Sequence, residues 1–160
     1  MADLCTIDRA TVEDHGELLT LQRAAFVDEA HLYGTPEVPA LDETFAELDA
    51  RLRRSHTIAA RLDGRGRIVG AVSLRSDRVP PAIERLMVAP DQRGLGLATR
   101  LMAGIEAVAR QDGHREVRLV VGEIASGNRR LYERLGYRYL ERSVVFGDVG
   151  VWTMAKALPA

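Results

Sequence analysis

The sequence predicts a mixed α/β (α+β) domain, and three observations predict it. Short apolar runs of strand length alternate with segments of helical period. Two of those runs, 57–62 and 68–74, flank Asp63-Gly64-Arg65-Gly66, a turn that makes them antiparallel neighbours. Two later runs, 83–88 and 117–121, are separated by an amphipathic helix, which is what a parallel crossover requires. The chain has 160 residues, 46% of them hydrophobic, which suits one domain (residues 1–160) with a continuous core.

The elements follow in order. Residues 4–10 form a strand candidate. Thr11, with Asp14 three residues on, is a capping-box variant that opens a helix carrying Val12, Leu18, Leu19, Ala25 and Phe26 on one stripe. Residues 27–41 are polar and contain Gly34, Pro36 and Pro39, so they predict a loop or a broken helix. Asp42 is the expected cap of a second helix built on Phe45, Leu48 and Leu52. After the hairpin, the strand 83–88 stops at Pro90. Leu97, Leu101, Ile105 and Val108 then fall at helical spacing in a helix over 97–111, with Gly113 beyond its end. Residues 117–121, apolar except for Arg118, are read as a strand covered on both faces. A short helix over 128–135 is closed by Gly136, and strands over 137–143 and 149–155 finish the chain, with Phe146 and Trp152 expected to pack among them. The predicted order is β-α-α-β-β-β-α-β-α-β-β.

Charge and composition exclude several classes. A net charge of −1 lacks the basic excess of a general nucleic-acid binder. No run approaches the ~20 apolar residues of a membrane span, and residues 1–10 lack the apolar core of a secretion signal. The single cysteine, Cys5, cannot form an internal disulfide, which predicts a reducing, cytoplasmic setting. His15, His31, His56 and His114 are scattered without ligand spacing, so no metal is expected. Between Ala24 and Ala50 lie seven acids (Asp28, Glu29, Glu37, Asp42, Glu43, Glu47 and Asp49) and no Lys or Arg. That run is either a solvated acidic face or the side of the molecule that meets a positively charged substrate.

The segment Arg93-Gly94-Leu95-Gly96-Leu97-Ala98-Thr99 lies between a predicted strand and a predicted helix. Glycine lets the backbone turn tightly and lets a ligand approach its amides. The first amides of a helix have no internal acceptors, and the helix dipole makes that end positive. The combination is a phosphate site, with Arg93 adding a cation at its rim. It fits the dinucleotide fingerprint poorly, because Thr99 falls where the third glycine or alanine belongs. It is not a nucleoside-triphosphate loop, because no Gly-Lys-Ser/Thr follows. An unliganded glycine connection, or a different phosphorylated ligand, stays open on these residues alone.

The pattern Arg93-x-x-Gly96-x-Ala98, preceded by Glu84-Arg85-Leu86-Met87-Val88-Ala89-Pro90 and followed by Leu131-Tyr132-Glu133-Arg134-Leu135-Gly136-Tyr137, resembles the two signature motifs of the GNAT superfamily of N-acetyltransferases. The resemblance implies a GNAT-like fold: a central, mostly antiparallel sheet with one splayed parallel strand pair, flanked by about four helices. It implies acetyl-CoA as the donor, without a metal. Backbone groups of Leu86, Met87 and Val88 would pair with the pantetheine arm like an added strand, beside a neighbour that diverges at a bulge. The amides of Arg93, Gly94, Leu95, Gly96, Leu97, Ala98 and Thr99 would hold the pyrophosphate. Asn128 and Arg129 would lie near the outgoing arm. The chain departs from the usual pattern here: many members have a small residue four positions before the tyrosine and an amide seven before, where this chain has Asn128 and Ala125.

The same resemblance implies the chemistry. Acetyl transfer to an amine needs a neutral nucleophile, a polarised thioester carbonyl and a protonated leaving thiolate. A lysine-like amine has a pKa of roughly 10.4, so a base is useful. Glu84, two residues before Leu86 and therefore on its strand face, is the candidate base, directly or through water. Tyr132 is the candidate acid for the thiolate, and an amide of Met87 or Val88 would polarise the carbonyl. Phe26, Glu29 and Tyr33 would line the acceptor side, where the acidic run suits a small cationic amine. A CoA-binding module without turnover, a protein N-terminus or lysine as acceptor, and a homodimer are the other readings that the resemblance leaves open.

Overall fold

The computed structural model describes residues 5–145 and 147–160. The strand expectation at Leu4 and the packing expectation at Phe146 fall outside the described residues. Seven strands form one sheet in the order β1-β2-β3-β4-β5-β7-β6. They are β1 (Cys5–Arg9), β2 (Ser55–Leu62), β3 (Ile68–Arg75), β4 (Ala82–Val88), β5 (Glu116–Gly122), β6 (Arg138–Val145) and β7 (Val149–Ala157). The helices are α1 (His15–Tyr33), α2 (Pro39–Asp42), α3 (Phe45–Arg53), α4 (Leu97–Gln111) and α5 (Ser126–Arg134). Every neighbouring pair is antiparallel except β4 and β5, which α4 joins as a parallel crossover.

The capping box at Thr11 forms, with the Thr11 amide donating to Asp14 Oδ2 at 2.8 Å. It introduces a short 3-10 turn, and α1 then continues to Tyr33, well into the stretch expected to be loop. That stretch has no glycine or proline before Gly34, which ends the helix in the left-handed conformation at φ 68°. The apolar stripe runs out earlier: the buried residues of α1 are His15, Leu18, Leu21 and Gln22. Its second half is helical without the usual signal because it borders open clefts rather than core.

The expected cap at Asp42 is also corrected. Asp42 ends the short turn α2, and Thr44 caps α3 instead. Thr44 Oγ1 accepts from the Glu47 amide at 3.2 Å, and Glu47 Oε1 accepts from the Thr44 amide at 3.0 Å. The fully buried Gln22 ties these elements together. Its Nε2 donates to Ala40 O at 2.8 Å and to Glu43 Oε1 at 2.9 Å, and its Oε1 accepts from Arg51 Nη2 at 3.1 Å.

The sheet is covered on both faces at its centre, where Ile68–Leu74 are all buried; β5, expected to be covered on both faces, instead alternates, with Val117, Leu119 and Val121 buried and Arg118 and Val120 exposed. On one face, Leu18, Gln22, Leu48 and Leu52 close on Thr57, Ser73 and Met87. On the other, α4 packs closely because two glycines remove side chains between it and the sheet. A Cβ on Gly70 would stand 2.8 Å from Leu101 Cδ1 and 3.2 Å from Met87 O, and one on Gly104 would stand 2.8 Å from Ile58 Cδ1. Gly70→Ala should therefore destabilise the fold by about 1–3 kcal/mol, because backbone and core side chains must move. Gly104→Ala should cost less, since a flexible Ile58 methyl can yield and alanine favours a helix interior by up to ~1 kcal/mol. Urea midpoints at unchanged slope would measure both, and equal effects would contradict this packing account.

Candidate active site

The site begins at a register error in β4. Ser73 pairs with Glu84 and Ala71 with Met87, so Arg85 and Leu86 together stand opposite Val72. This is a β-bulge, and Arg85 adopts the left-handed conformation at φ 55°. An arginine there is strained by roughly 1–2 kcal/mol, and the neighbouring backbone holds it. The bulge bends β4 away from β5. Their parallel pairing is registered only at Ala82 and Arg118, where the Arg118 amide donates to Pro81 O at 3.0 Å. Beyond that point the two strands part, and the edge of Leu86–Val88 that would face β5 is left open.

Two clefts meet at the parting. The first, about 490 Å³, is lined by Leu86, Met87 and Val88 on β4, by Arg93 and Ala98, and by Asn128 on α5. Gly94 and Gly96 have φ of 78° and 80°, with nothing within 4 Å of a Cβ at either. They are needed for the turn and not for space. Gly96 stands at the N-cap of α4 and has no side chain to cap it, so the amides of 97–99 have no intrahelical acceptors. Leu97 contributes only backbone there, because its side chain is buried against Gly70. Asn128 and Arg129 lie inside α5, which starts at Ser126, two residues earlier than the sequence suggested. Arg93 is committed elsewhere than a free rim cation would be: it pairs with Asp28 and donates to Ala25 O at 3.0 Å, pinning the glycine turn to α1.

The second cleft, about 700 Å³, contains both residues expected to carry the chemistry, Glu84 and Tyr132, and shares Leu86 with the first. The strict alternation expected to align Glu84 with Leu86 is interrupted by the bulge, yet both line this cleft. Glu84 Oε1 lies 3.6 Å from Arg75 Nη1. Tyr132 is buried, edge-on to Tyr137 at 5.8 Å between ring centroids, and burial pushes its phenol up to about 12. Tyr137 is held by its own partners: its hydroxyl donates to Glu106 Oε2 at 2.8 Å, and Lys156 Nζ donates to Glu106 Oε1 at 2.8 Å.

Phe26, Glu29 and Tyr33 are on α1 and not on a loop. Phe26 lines the first cleft, Glu29 lines the first and a third, and Tyr33 lines the third. Burial raises the Glu29 carboxyl, with the charge of Arg85 opposing the shift. The Tyr33 hydroxyl lies 1.9 Å from where a Cβ on Gly122 would stand, so the absence of a side chain at 122 lets the Tyr33 ring sit over β5 as it does. Most of the acidic run is spent internally. Glu43 pairs with Arg51, Asp49 with His15 and Arg53, and Asp28 with Arg93, while Glu47 caps α3. The run is thus not a bare acidic face awaiting a cation.

What sequence reading missed is the arginine content of the second cleft. Arg51, Arg75, Arg78, Arg85 and Arg118 all line it. They come from helix, strand and loop positions spread over residues 51–118, and no local spacing signals them. Among the described residues, no group of three or more His, Cys, Asp or Glu is placed to hold a metal ion, and no helix is long and apolar enough to cross a membrane.

Comparison with known proteins agrees with this architecture. Residues 17–137 match the model of the acetyltransferase (GNAT) family. N-acetyltransferase 8 of Mus musculus is 31% identical over 99 residues, a match spanning 58% of this chain and 43% of the mouse protein; the chain therefore spans less than half of that relative's length. Among solved structures, the PaiA N-acetyltransferase of Thermoplasma acidophilum in complex with coenzyme A superposes with a TM-score of 0.78 at 17% identity, covering 96% of this chain and 98% of that one. The ribosomal-protein-S18-alanine N-acetyltransferase of Escherichia coli gives 0.79 at 15%, covering 98% and 95%. YncA of Salmonella typhimurium, with its cofactor acetyl-CoA, gives 0.73 at 17%, covering 98% and 95%. With three quarters of its length inside the family match, and with the splayed β4–β5 pair and uncapped glycine turn described above, the chain belongs to the GNAT acetyltransferase family.

Proposed function

We propose that the protein is an acetyl-CoA-dependent N-acetyltransferase acting on the primary amine of a small molecule. One observation carries the reading: the parting of β4 and β5 joins a cleft holding an uncapped glycine turn to a cleft holding Glu84 and Tyr132. The donor supplies an activated acetyl thioester. The first cleft suits it, since an open strand edge at Leu86–Val88 can hydrogen-bond a pantetheine amide, and the amides of 93–99 can take pyrophosphate oxygens. Asn128 and Arg129 stand on the neighbouring helix, near the arm that leaves the turn.

In this reading the acceptor enters the second cleft as an ammonium, which is the positive charge expected of it. Glu84 takes a proton from it, directly or through one water. The neutral amine forms the new N–C bond at the thioester carbonyl while the C–S bond breaks, the amide of Met87 or Val88 stabilises the oxygen, and the acylated nitrogen and Glu84 each release one proton to solvent. Tyr132 gives its hydroxyl proton to the departing sulfur and is reprotonated from solvent. Its high pKa keeps it protonated at neutral pH, which an acid requires. Alignment of amine and thioester supplies much of the remaining acceleration.

Glu84→Gln should lower kcat/KM by roughly 10²–10⁴-fold and leave a rate that keeps rising with pH towards the amine pKa, as general-base loss predicts; an unchanged rate and profile would remove Glu84 from this role. CoA should raise the unfolding temperature, with about 3 kcal/mol of added stability at a hundredfold excess over Kd, and stabilisation by NAD or ATP but not CoA would overturn the donor assignment. Tyr132 also gives an alkaline signature. Its folded pKa is raised above the unfolded value near 10, so its contribution is complete below pH 10 and is lost as pH rises through about 12. Tyr132→Phe should lower kcat and also lose less stability than the unmodified protein between those limits, measured by urea unfolding.

A further inference from the structure

The arginines of the second cleft have a consequence for the acceptor. Arg51 and Arg85 reach it from α3 and from the β4 bulge. Both carry a buried guanidinium nitrogen without a hydrogen-bond partner, Nη1 of Arg51 and Nε of Arg85. A buried donor left unmade is costly, and two such donors on like-charged groups in one cleft are costlier still. Arg51 is already spoken for on its other nitrogens, by Glu43 at 2.9 and 3.0 Å and by Gln22 at 3.1 Å. Arg85 is not. The charges of Glu29, Glu43 and Glu84 act on it, but among the described residues none is in ion-pair contact with it, and its guanidinium has a cation–π contact with Phe26, 6.0 Å from the ring centroid. Desolvation, and then Arg51, lower its pKa, the sign of a cation in want of a counter-charge. Arg85 stands at the bulge with φ 55°, where a glycine would carry no strain, and its side chain borders the second cleft, the third, and the small space between α1, α3 and the sheet.

We infer that the acceptor carries a carboxylate beside its amine, and that Arg85 binds that carboxylate while Glu84 faces the ammonium. The acceptor class is thus an amino-acid-like zwitterion. A planar, singly charged carboxylate matches the guanidinium fork. A phosphate monoester is the competing anion in a cleft lined by five arginines and by Glu84 and Glu141, and the test below separates the two. This inference rests on the acetyl-transfer reading above and names the acceptor for the same site.

The test is thiol release at saturating acetyl-CoA with acceptor pairs that differ only in the carboxylate: phenylalanine against phenethylamine, leucine against isopentylamine, lysine against cadaverine. The carboxylate member of at least one pair should have a kcat/KM higher by roughly tenfold or more, mostly through KM, as a charge-assisted bidentate contact predicts. Arg85→Asn, chosen because asparagine tolerates the left-handed backbone, should bring that ratio towards one, and Arg85→Lys should keep part of it. Amines turned over as well as their amino acids would overturn the inference and leave acetyl transfer intact. So would a ratio that survives Arg85→Asn, or a preference for phosphoethanolamine over ethanolamine without any preference for a carboxylate. No thiol release from any pair, in protein that CoA still stabilises against heat, would overturn acetyl transfer and the inference together. The pairwise comparison in the unmodified protein decides the matter even if the variants fail to fold.

Discussion

Backbone hydrogen bonding at one strand pair governs the rest of this molecule. A parallel pair inside a covered sheet normally satisfies its amides and carbonyls along its whole length. Here β4 and β5 are registered at one position and then part. The extra residue at Arg85–Leu86 lies just past that position, and a bulge there bends β4 and increases its local twist. The candidate site follows the parting. The open edge of Leu86–Val88, the junction of the two clefts at Leu86, and the exposure of Glu84 and Tyr132 to a common space all require it.

The rest of the fold is arranged to hold the strands apart without collapse. Gly70 and Gly104 bring α4 down onto β2 and β3 so closely that its N-terminus, with Gly96 in the left-handed region, is fixed relative to β4. Across the sheet, α1 runs past the opening, with Arg93 tied to Asp28 and Ala25 at one end and Tyr33 seated over Gly122 at the other. The helix thus bridges the glycine turn and β5. Gln22 and the Glu43–Arg51 pair lock the loop that follows α1 to α3.

Much of this was legible in the sequence because its signals are local. The 57–74 hairpin has its turn residues between its strands, α4 has its stripe within one segment, and the glycine turn is contiguous. The second half of α1 was not legible, because a helix that borders clefts has no apolar period to detect; Val27 and Leu32 are 44% and 51% exposed. The cap at Thr44 was missed for a smaller reason: Asp42 is an equally good cap by type, and only the turn Pro39–Asp42 moves the helix start past it. The arginine cleft could not have been found by spacing, since its members meet only once α3, β3, β4 and β5 are assembled.

The acidic run and the arginine cleft are two views of one charge arrangement. Counted along the chain, residues 24–50 look like a negative surface set apart from a basic remainder. In the fold, Glu43 neutralises Arg51, Asp28 neutralises Arg93 and Asp49 neutralises Arg53, so the run is mostly counter-charge for arginines brought in from elsewhere. What survives that cancellation decides the electrostatics of the site. Glu29 survives, half-buried and raised in pKa, and so does Arg85, which has no ion pair among the described residues and whose Nε has no hydrogen-bond partner there. Glu84 and Arg85 are adjacent residues of a strained strand, and both line the cleft beside Glu141 and four further arginines. A ligand that meets both must itself carry opposite charges a few bonds apart, and the spacing is fixed by the same bulge that opened the strands.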